Sequence, residues 1–134
     1  MKILLDTHIV IWALFDSSFL SPIARELIWD SQNEIYYSIL SMWEIEMKHS
    51  LHPDKMKVSA REVQDYCIVS GFSMLGLKES HIDMLSTLKR PDEAPPHKDP
   101  FDKMLICQSL AERMTFLTHD GLIRYYDLNN IVVV

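Results

Sequence analysis

Short apolar runs alternate with helix-like segments along all 134 residues of this chain. Strands that are separated by helices normally pair in parallel, so this alternation predicts an α/β fold with helices on both faces of a mainly parallel sheet of four to five strands. We expect residues 1–134 to form a single domain, because no linker or internal repeat interrupts the pattern. The apolar runs predict strands at 2–6, 35–37, 72–75, 115–118 and 131–134. The segments between them predict helices at 8–15, 21–30, 41–50, 59–71, 78–88 and 100–113, and a turn or short helix at 121–126.

The composition supports a folded core and a reducing environment. Hydrophobic residues make up 48% of the chain, which argues against disorder. Both cysteines, Cys67 and Cys107, have apolar neighbours in helix-like segments, so we interpret them as small buried hydrophobes. A disulfide between them is an open alternative, but no C-x-x-C metal pair occurs. This cysteine usage is typical of the cytoplasm.

The apolar stretch 9–15 is similar to the hydrophobic part of a signal peptide. Asp6, Thr7 and His8 lie directly before it and interrupt the longer hydrophobic segment that a signal peptide needs, so we do not expect it to act as one. No other run approaches the roughly 18 apolar residues of a membrane span. We therefore predict no membrane association.

Five acidic residues occupy positions that can meet at one edge of the predicted sheet. Asp6 and Asp120 follow the first apolar run and the last strongly apolar one, and the other three lie at the beginnings of two predicted helices: Glu44, Asp99 and Asp102. In parallel sheets, ligands bind beyond the carboxyl ends of the strands. The five acids are therefore candidates for one functional site.

Such a cluster of carboxylates needs a counter-charge. At an effective dielectric constant of about 20, two like charges about 4 Å apart repel each other by roughly 4 kcal/mol. Because all the ligand atoms would be oxygens, Mg²⁺ or Mn²⁺ fits the cluster better than zinc does. The five acids also supply most of the net charge of −6, which by itself argues against a nucleic-acid partner. A bound cation would reverse the local sign, and Lys48, Lys98 and Lys103 lie nearby in sequence, although they can equally be solvated helix lysines.

Each acid also has a structural alternative. Ser41 and Glu44 have the spacing of a capping box, and Asp99 before Pro100 is a typical N-cap with Asp102 in the first helical turn. Asp6 can likewise cap a helix, and Asp120 can belong to a turn before Gly121. These alternatives are compatible with a metal site, because a helix N-terminus favours the ionised carboxylate that a metal requires.

The histidines and aromatic residues give weaker signals. His8 and His97 lie near the acids in sequence, and we expect structural hydrogen bonds from both, with contact to a substrate as the alternative. Core positions are expected for Trp12, Trp43 and Phe101. Stacking of Tyr125 and Tyr126 on a nucleic-acid base is an alternative to a structural role.

Four short segments with characteristic residues follow one another along the chain. The opening segment is Leu4-Leu5-Asp6-Thr7-His8, followed by Trp12. The second contains Ser38, Ser41, Trp43-Glu44-Ile45 and Lys48, and the third contains His97, Asp99-Pro100-Phe101-Asp102-Lys103 and Gln108. The fourth is Thr118-His119-Asp120. In this order and spacing the four segments resemble the motifs of PIN-domain proteins, and within them those of the VapC-type toxin ribonucleases.

This resemblance implies a three-layer α/β/α fold and Mg²⁺- or Mn²⁺-dependent cleavage of RNA. By analogy, Asp6, Glu44 and Asp102 would be the core catalytic and metal-binding acids, and Asp120 would complete the set. Asp99 would act as a cap or support, and Thr7 and Thr118 are expected to orient carboxylates or a metal-bound water.

The resemblance also implies an antitoxin protein as partner and a homodimer, in which the predicted helices 21–30 and 59–70 are candidates for the contact. The proline-rich loop 89–96 is longer and more acidic than the family pattern. A non-catalytic binding module on the same scaffold is the alternative function. A receiver-type phosphoryl-transfer domain is disfavoured, because neither its central acceptor aspartate nor its late lysine is well placed here.

Overall fold

Five strands form one sheet in which every neighbouring pair is parallel, in the order β3-β2-β1-β4-β5. The computed structural model describes all residues from 1 to 134. The predicted parallel α/β fold is therefore confirmed, with five strands. Their bounds are β1 Lys2–Leu5, β2 Glu34–Ser38, β3 Ser73–Leu75, β4 Thr115–Thr118 and β5 Ile131–Val133.

Six α-helices and two 3₁₀ helices connect the strands. The α-helices are α1 Thr7–Leu14, α2 Pro22–Trp29, α3 Ile39–Leu51, α4 Ala60–Val69, α5 Glu79–Asp83 and α6 Pro100–Ala111. The 3₁₀ helices are Met84–Thr87 and Gly121–Tyr126. The single helix predicted at 78–88 is thus divided between α5 and a 3₁₀ turn. No helix has both the length and the apolar character needed to cross a membrane.

The central strand β1 separates two hydrophobic cores. Ile3 and Leu5 are fully buried in a core with residues of α1, α2 and α4, whereas Leu4 is buried in a second core with Leu105 and Ile106 of α6. This division follows from the period of two along a strand, which directs successive side chains to opposite faces. The sheet therefore forms the middle of three layers.

Two helices begin where the sequence predicted, each after a serine N-cap. Ser21, which directly precedes Pro22, accepts a hydrogen bond from the backbone N–H of Ala24. Ser59 forms a capping box with Glu62. These caps satisfy N–H groups that have no partner within the helix.

The predicted capping box of Ser41 and Glu44 is wrong. α3 begins at Ile39, and its N-cap is Ser38, whose side chain accepts from the N–H of Leu40 at 3.0 Å. The Ser38 hydroxyl also donates to Gln108 Oε1 at 2.6 Å, a tertiary contact that the local sequence does not reveal. Ser41 and Glu44 consequently lie inside the helix, where their side chains are free for other contacts.

Gln108 joins three parts of the fold. Its side chain is fully buried, and besides accepting from Ser38 it donates from Nε2 to the backbone carbonyl of Gly76 at 3.2 Å. One amide therefore ties α6 to the junction of β2 with α3 and to the segment after β3.

Cys67 and Cys107 are buried free thiols, as predicted. The core position expected for Trp43 is wrong, because its exposed fraction is 63%. Trp43 instead packs edge-on against Phe101, with 5.4 Å between the ring centroids, on the outside of the molecule. A neighbour on α6 rather than the core therefore supports this tryptophan.

Candidate metal centre

The five acids line one open cavity of about 300 Å³ at the carboxyl edge of the sheet. β1 and β4 are paired neighbours, so Asp6 and Asp120 emerge side by side from this edge. Glu44 reaches the cavity from α3, which follows β2, and Asp99 and Asp102 reach it from the beginning of α6. The all-parallel direction of the strands is what brings these sequence-distant acids together.

Asp6 is held by its two threonine neighbours. Its Oδ1 accepts the backbone N–H of Thr7 at 2.7 Å, and its Oδ2 accepts the hydroxyl of Thr118 at 2.6 Å. Asp6 is only 5% exposed, so both bonds are shielded from bulk water. The carboxylate is therefore fixed in orientation before any ligand binds.

A chain of hydroxyls and one lysine hold Glu44. The Thr7 hydroxyl donates to Glu44 Oε1 at 2.8 Å, and it lies 2.8 Å from the hydroxyl of Ser41. Because Thr7 has a single hydroxyl proton, Ser41 is the donor in the bond between them. Lys48 donates from Nζ to Glu44 Oε2 at 2.6 Å, which neutralises a carboxylate that is almost completely buried.

Asp102 and Asp120 meet around a buried histidine. His97 Nε2 lies 3.3 Å from Asp102 Oδ2 and 3.8 Å from Asp120 Oδ2, and its Nδ1 lies 2.7 Å from the hydroxyl of Tyr126. One ligand atom from each of His97, Asp102 and Asp120 falls within 4.8 Å of the others. These three side chains are therefore close enough together to surround a single ion.

Asp99 has a different task. Its Oδ1 accepts the backbone N–H groups of Phe101 and Asp102 at 2.9 and 3.3 Å, so it is the N-cap of α6. The cap fixes the first helical turn, which carries Asp102. The predicted cap at Asp99 is therefore confirmed, whereas its supporting role at a metal site stays a prediction.

Burial and like charge together raise the pKa of Asp102 to about 8. Desolvation is the largest cause, and the charges of Asp6, Asp99, Glu44 and Asp120 follow it. The pKa of Asp6 is also raised, mainly by burial and against the hydrogen bonds from Thr118 and Thr7. Near neutral pH the cavity alone therefore does not hold all of its carboxylates in the charged form.

The sequence indicated the acids more clearly than their supports. It expected a structural hydrogen bond from His97, and the structure adds that this bond points into the acid cavity. A histidine that ends a proline-rich loop just before two acids is the signal for it, but its bond to Tyr126 spans 29 residues and leaves no local pattern. The hydrogen bond of the Ser41 hydroxyl to Thr7 was not predicted, because the capping-box pattern indicated an N-cap role for Ser41.

Aromatic rings form the remaining wall. Trp12, His8 and His119 line the cavity, and the ring centroids of Trp12 and His119 lie 5.2 Å apart in an edge-to-face arrangement. The floor of the cavity is thus acidic, and one side is aromatic.

Comparison with known proteins identifies the fold and the family of the chain. The chain is similar over its full length to a chain in the crystal structure of VapBC2 from Rickettsia felis bound to a DNA fragment from their promoter. The TM-score is 0.68 at 17% sequence identity, with 100% of this chain and 98% of that chain covered, which shows a shared fold. No curated protein matches the sequence. The family model of the PIN domain matches residues 3–128, so the chain belongs to the PIN-domain family.

Proposed function

We propose that this protein is a metal-dependent endoribonuclease that hydrolyses phosphodiester bonds of RNA. The observation that carries the proposal is the acid cavity, in which Asp102 is buried beside four other acids at the carboxyl edge of the sheet. Such a carboxylate becomes fully charged at neutral pH when a cation lies beside it. Membership of the PIN-domain family supports the same conclusion.

The donor set fits a hard divalent cation. Asp6, Glu44, Asp102 and Asp120 would hold Mg²⁺ or Mn²⁺, since carboxylate oxygens are the ligands that these ions prefer. When bound, the ion would activate a water molecule and stabilise charge on the scissile phosphate. His97 lies at the edge of the set and would orient the Asp102 carboxylate through its Nε2–H rather than bind the ion itself.

The protein's own groups would prepare this site for its ligands. The hydroxyls of Thr118 and Thr7 restrict the rotation of Asp6 and Glu44, and Lys48 neutralises the carboxylate oxygen of Glu44 that Thr7 does not contact. Asp99 holds the first turn of α6, from which Asp102 projects. Such pre-orientation reduces the reorganisation that binding and reaction would otherwise require.

Within the family, we assign the chain to the VapC-type toxins of toxin–antitoxin pairs, acting in the cytoplasm as a single domain of residues 1–134. The four motifs and the likeness to a chain of the VapBC2 complex support this assignment. We further propose an antitoxin protein as partner. An apolar cavity of about 290 Å³ beside the acid cavity, whose wall includes Trp43, Phe101 and Met104, supports a protein ligand of this kind.

The first prediction tests the catalytic proposal. Asp6→Asn should reduce RNA cleavage by at least about 100-fold, because it removes a charged metal ligand. It should change stability little, because relief of charge repulsion offsets the weakened hydrogen bonds. The measurements are cleavage of a labelled single-stranded RNA in metal-defined buffer, Mn²⁺ binding by calorimetry, and thermal unfolding.

The matched control is Glu34→Gln, an exposed acid at the opposite edge of the sheet, which should cleave as the wild type does. Full activity of Asp6→Asn would reject the assignment. If the wild-type protein binds Mn²⁺ and RNA but does not cleave it, the non-catalytic binding module is the better description.

A further inference from the structure

Two cavities lined by basic side chains flank the acid cavity. The first, which we name the lysine cavity, is lined by Lys48, Lys55, His8, His52 and Met56 and has a volume of about 290 Å³. The second, which we name the arginine cavity, is lined by Arg90, Lys103, His97, Tyr126, Leu85 and Leu88 and has a volume of about 300 Å³. In a chain with a net charge of −6, cationic side chains are thus gathered on both sides of one site.

The two basic cavities lie on opposite sides of the acid cavity. Met56 of the lysine cavity packs against the core that contains Ile3 and Leu5, on one face of the sheet. Leu88 and Tyr126 of the arginine cavity belong to the core of Leu4, on the other face. The acid cavity, at the edge of the sheet, therefore lies between them.

Each basic cavity is separated from the acid cavity by a single side chain. His8 lines both the lysine cavity and the acid cavity, and Lys48 bonds directly to Glu44. His97 lines the arginine cavity, and its Nε2 lies 3.3 Å from Asp102. The three cavities thus form a continuous series of basic, acidic and basic surface.

Arg90 has unused capacity for an anion. Its Nε is buried without a hydrogen-bond partner, and its guanidinium carbon lies 5.6 and 5.3 Å from the ring centroids of Tyr125 and Tyr126. A phosphate oxygen beside this guanidinium would supply the missing acceptor. The Tyr125 side chain beside it is 41% exposed, so its ring can stack on a base.

We propose that a single strand of RNA crosses the carboxyl edge of the sheet, with backbone phosphates bound in the lysine and arginine cavities on either side of the scissile phosphate. This inference rests on the proposed nuclease function and adds the path of the substrate. A polynucleotide carries a phosphate at every residue, so it matches a row of two basic cavities and one metal-binding cavity. The bases of a single strand are free to stack on protein side chains, so one base can lie on the exposed ring of Tyr125 beside the arginine cavity, which a base-paired duplex would not allow.

The test measures how salt weakens RNA binding. Each phosphate contact that is lost should reduce the slope of log affinity against log salt concentration by about 0.7 for a single strand. We expect this reduction for Lys55→Gln in one cavity and for Arg90→Gln and Lys103→Gln in the other. The measurement is fluorescence anisotropy of a labelled single-stranded RNA in Mg²⁺ buffer, with Asp6→Asn as the background to prevent turnover.

Lys2→Gln is the charge-matched control, because Lys2 is exposed at the amino end of β1, on the opposite edge of the sheet. Its slope should remain that of the background protein. Arg90→Lys keeps the charge and should restore the slope that Arg90→Gln loses, which separates phosphate binding from a change in loop packing. Thermal unfolding of each variant verifies that it is folded.

Unchanged slopes for the variants of either cavity would overturn the proposed path. Equal affinity for a duplex RNA of the same sequence would overturn its single-stranded character. Failure of the nuclease proposal is seen separately, as absence of Mn²⁺ binding or of cleavage in the wild-type protein, and does not depend on the salt slopes.

Discussion

Asp99 and Asp102 show how closely neighbouring acids can differ in this protein. They are three residues apart, yet Asp99 Oδ1 accepts hydrogen bonds from two backbone N–H groups, whereas the side chain of Asp102 projects into the cavity beside His97. The sequence could separate them because Pro100 marks the helix start and so identifies the cap. It could not reveal the contacts of His97, since these depend on how the proline-rich loop folds back onto Tyr126.

The raised pKa of Asp102 gives a prediction about pH. Between the ordinary value of 3.8 and the folded-state value of about 8, the folded protein holds a proton that the unfolded chain has lost. Stability of the metal-free protein should therefore fall as pH rises through this window, by at least about 1 kcal/mol, or a few degrees in Tm. Thermal unfolding in chelator at a series of pH values measures this.

Asp102→Asn supplies the comparison, because an amide does not titrate and should flatten most of the pH dependence. Adding Mn²⁺ to the wild-type protein should raise Tm most at the alkaline end, where the site is charged. A metal-free protein whose Tm rises from pH 5 to pH 8 would contradict the electrostatic description of the cavity.

A second prediction at the residue scale concerns Tyr126. When Asp102 is ionised, a neutral His97 must present Nε2–H to it, so Nδ1 accepts the hydrogen bond from the Tyr126 hydroxyl. Burial lowers the pKa of His97 and favours this neutral form. Tyr126→Phe should weaken Mn²⁺ affinity by about 10-fold, as calorimetry would measure, because the histidine loses its fixed tautomer.

Tyr125→Phe is the control for that experiment, since the neighbouring ring does not contact His97 and the variant should retain wild-type metal affinity. Equal affinities for both variants would show that Tyr126 acts through packing alone.

At the level of elements, helix starts were predictable wherever the cap is local. Ser59 with Glu62 and Asp99 with Pro100 lie next to the helices they begin, so pattern and structure agree. α3 differs because two serines compete: Ser38 becomes the cap through its bond to Gln108, 70 residues away. Tertiary contacts thus decided a boundary that local propensity left ambiguous.

The cap of α4 gives a prediction about stability. Ser59→Ala should lower the free energy of unfolding by about 1 kcal/mol, because the backbone N–H of Glu62 loses the hydroxyl that it bonds to. Urea denaturation measures the loss, and Mn²⁺ affinity should be unchanged. Ser50→Ala in the last turn of α3 is the matched control with no expected loss, and an equal effect of both changes would refute the capping role.

At the level of the whole molecule, the alternation of strands and helices predicted the parallel sheet but not the order of its strands. That order places β1 between β2 and β4, which positions Asp6 in the middle of the acid cavity. The strand order depends on pairings such as that of β1 with β4, which are distant in sequence and leave no local pattern. Apolar contacts on the surface are harder to predict than strand order, because an apolar residue in the sequence does not show whether it lies in the core. The core position expected for Trp43 was wrong for this reason.

The proposed homodimer is testable on the surface of α2 and α4. Ile68 and Val69 are 69% and 85% exposed, and the half-exposed Trp29 packs on Phe72, just beyond α4. Exposed apolar side chains such as these are typical of surfaces that subunit contacts cover. Ile68→Glu with Val69→Glu should convert the dimer to a monomer, as light scattering after gel filtration would show.

Because the side chains of Ile68 and Val69 are exposed, the double variant should have the same Tm as the monomeric form of the wild-type protein. Met74→Glu, also at an exposed apolar position but on β3, is the control and should leave the mass unchanged. A wild-type protein that is monomeric at high concentration would reject the dimer.

The buried amide of Gln108 determines which parts of the acid cavity can open separately. Because it links α6 to the β2–α3 junction and to the segment after β3, these parts cannot separate without breaking the same two hydrogen bonds. Asp102 and Glu44 are carried by elements joined in this way, so we expect them to move together in any sub-global opening of the native state. The spacing of the acids would then persist through local fluctuations, and its loss would coincide with cooperative unfolding of this side of the sheet.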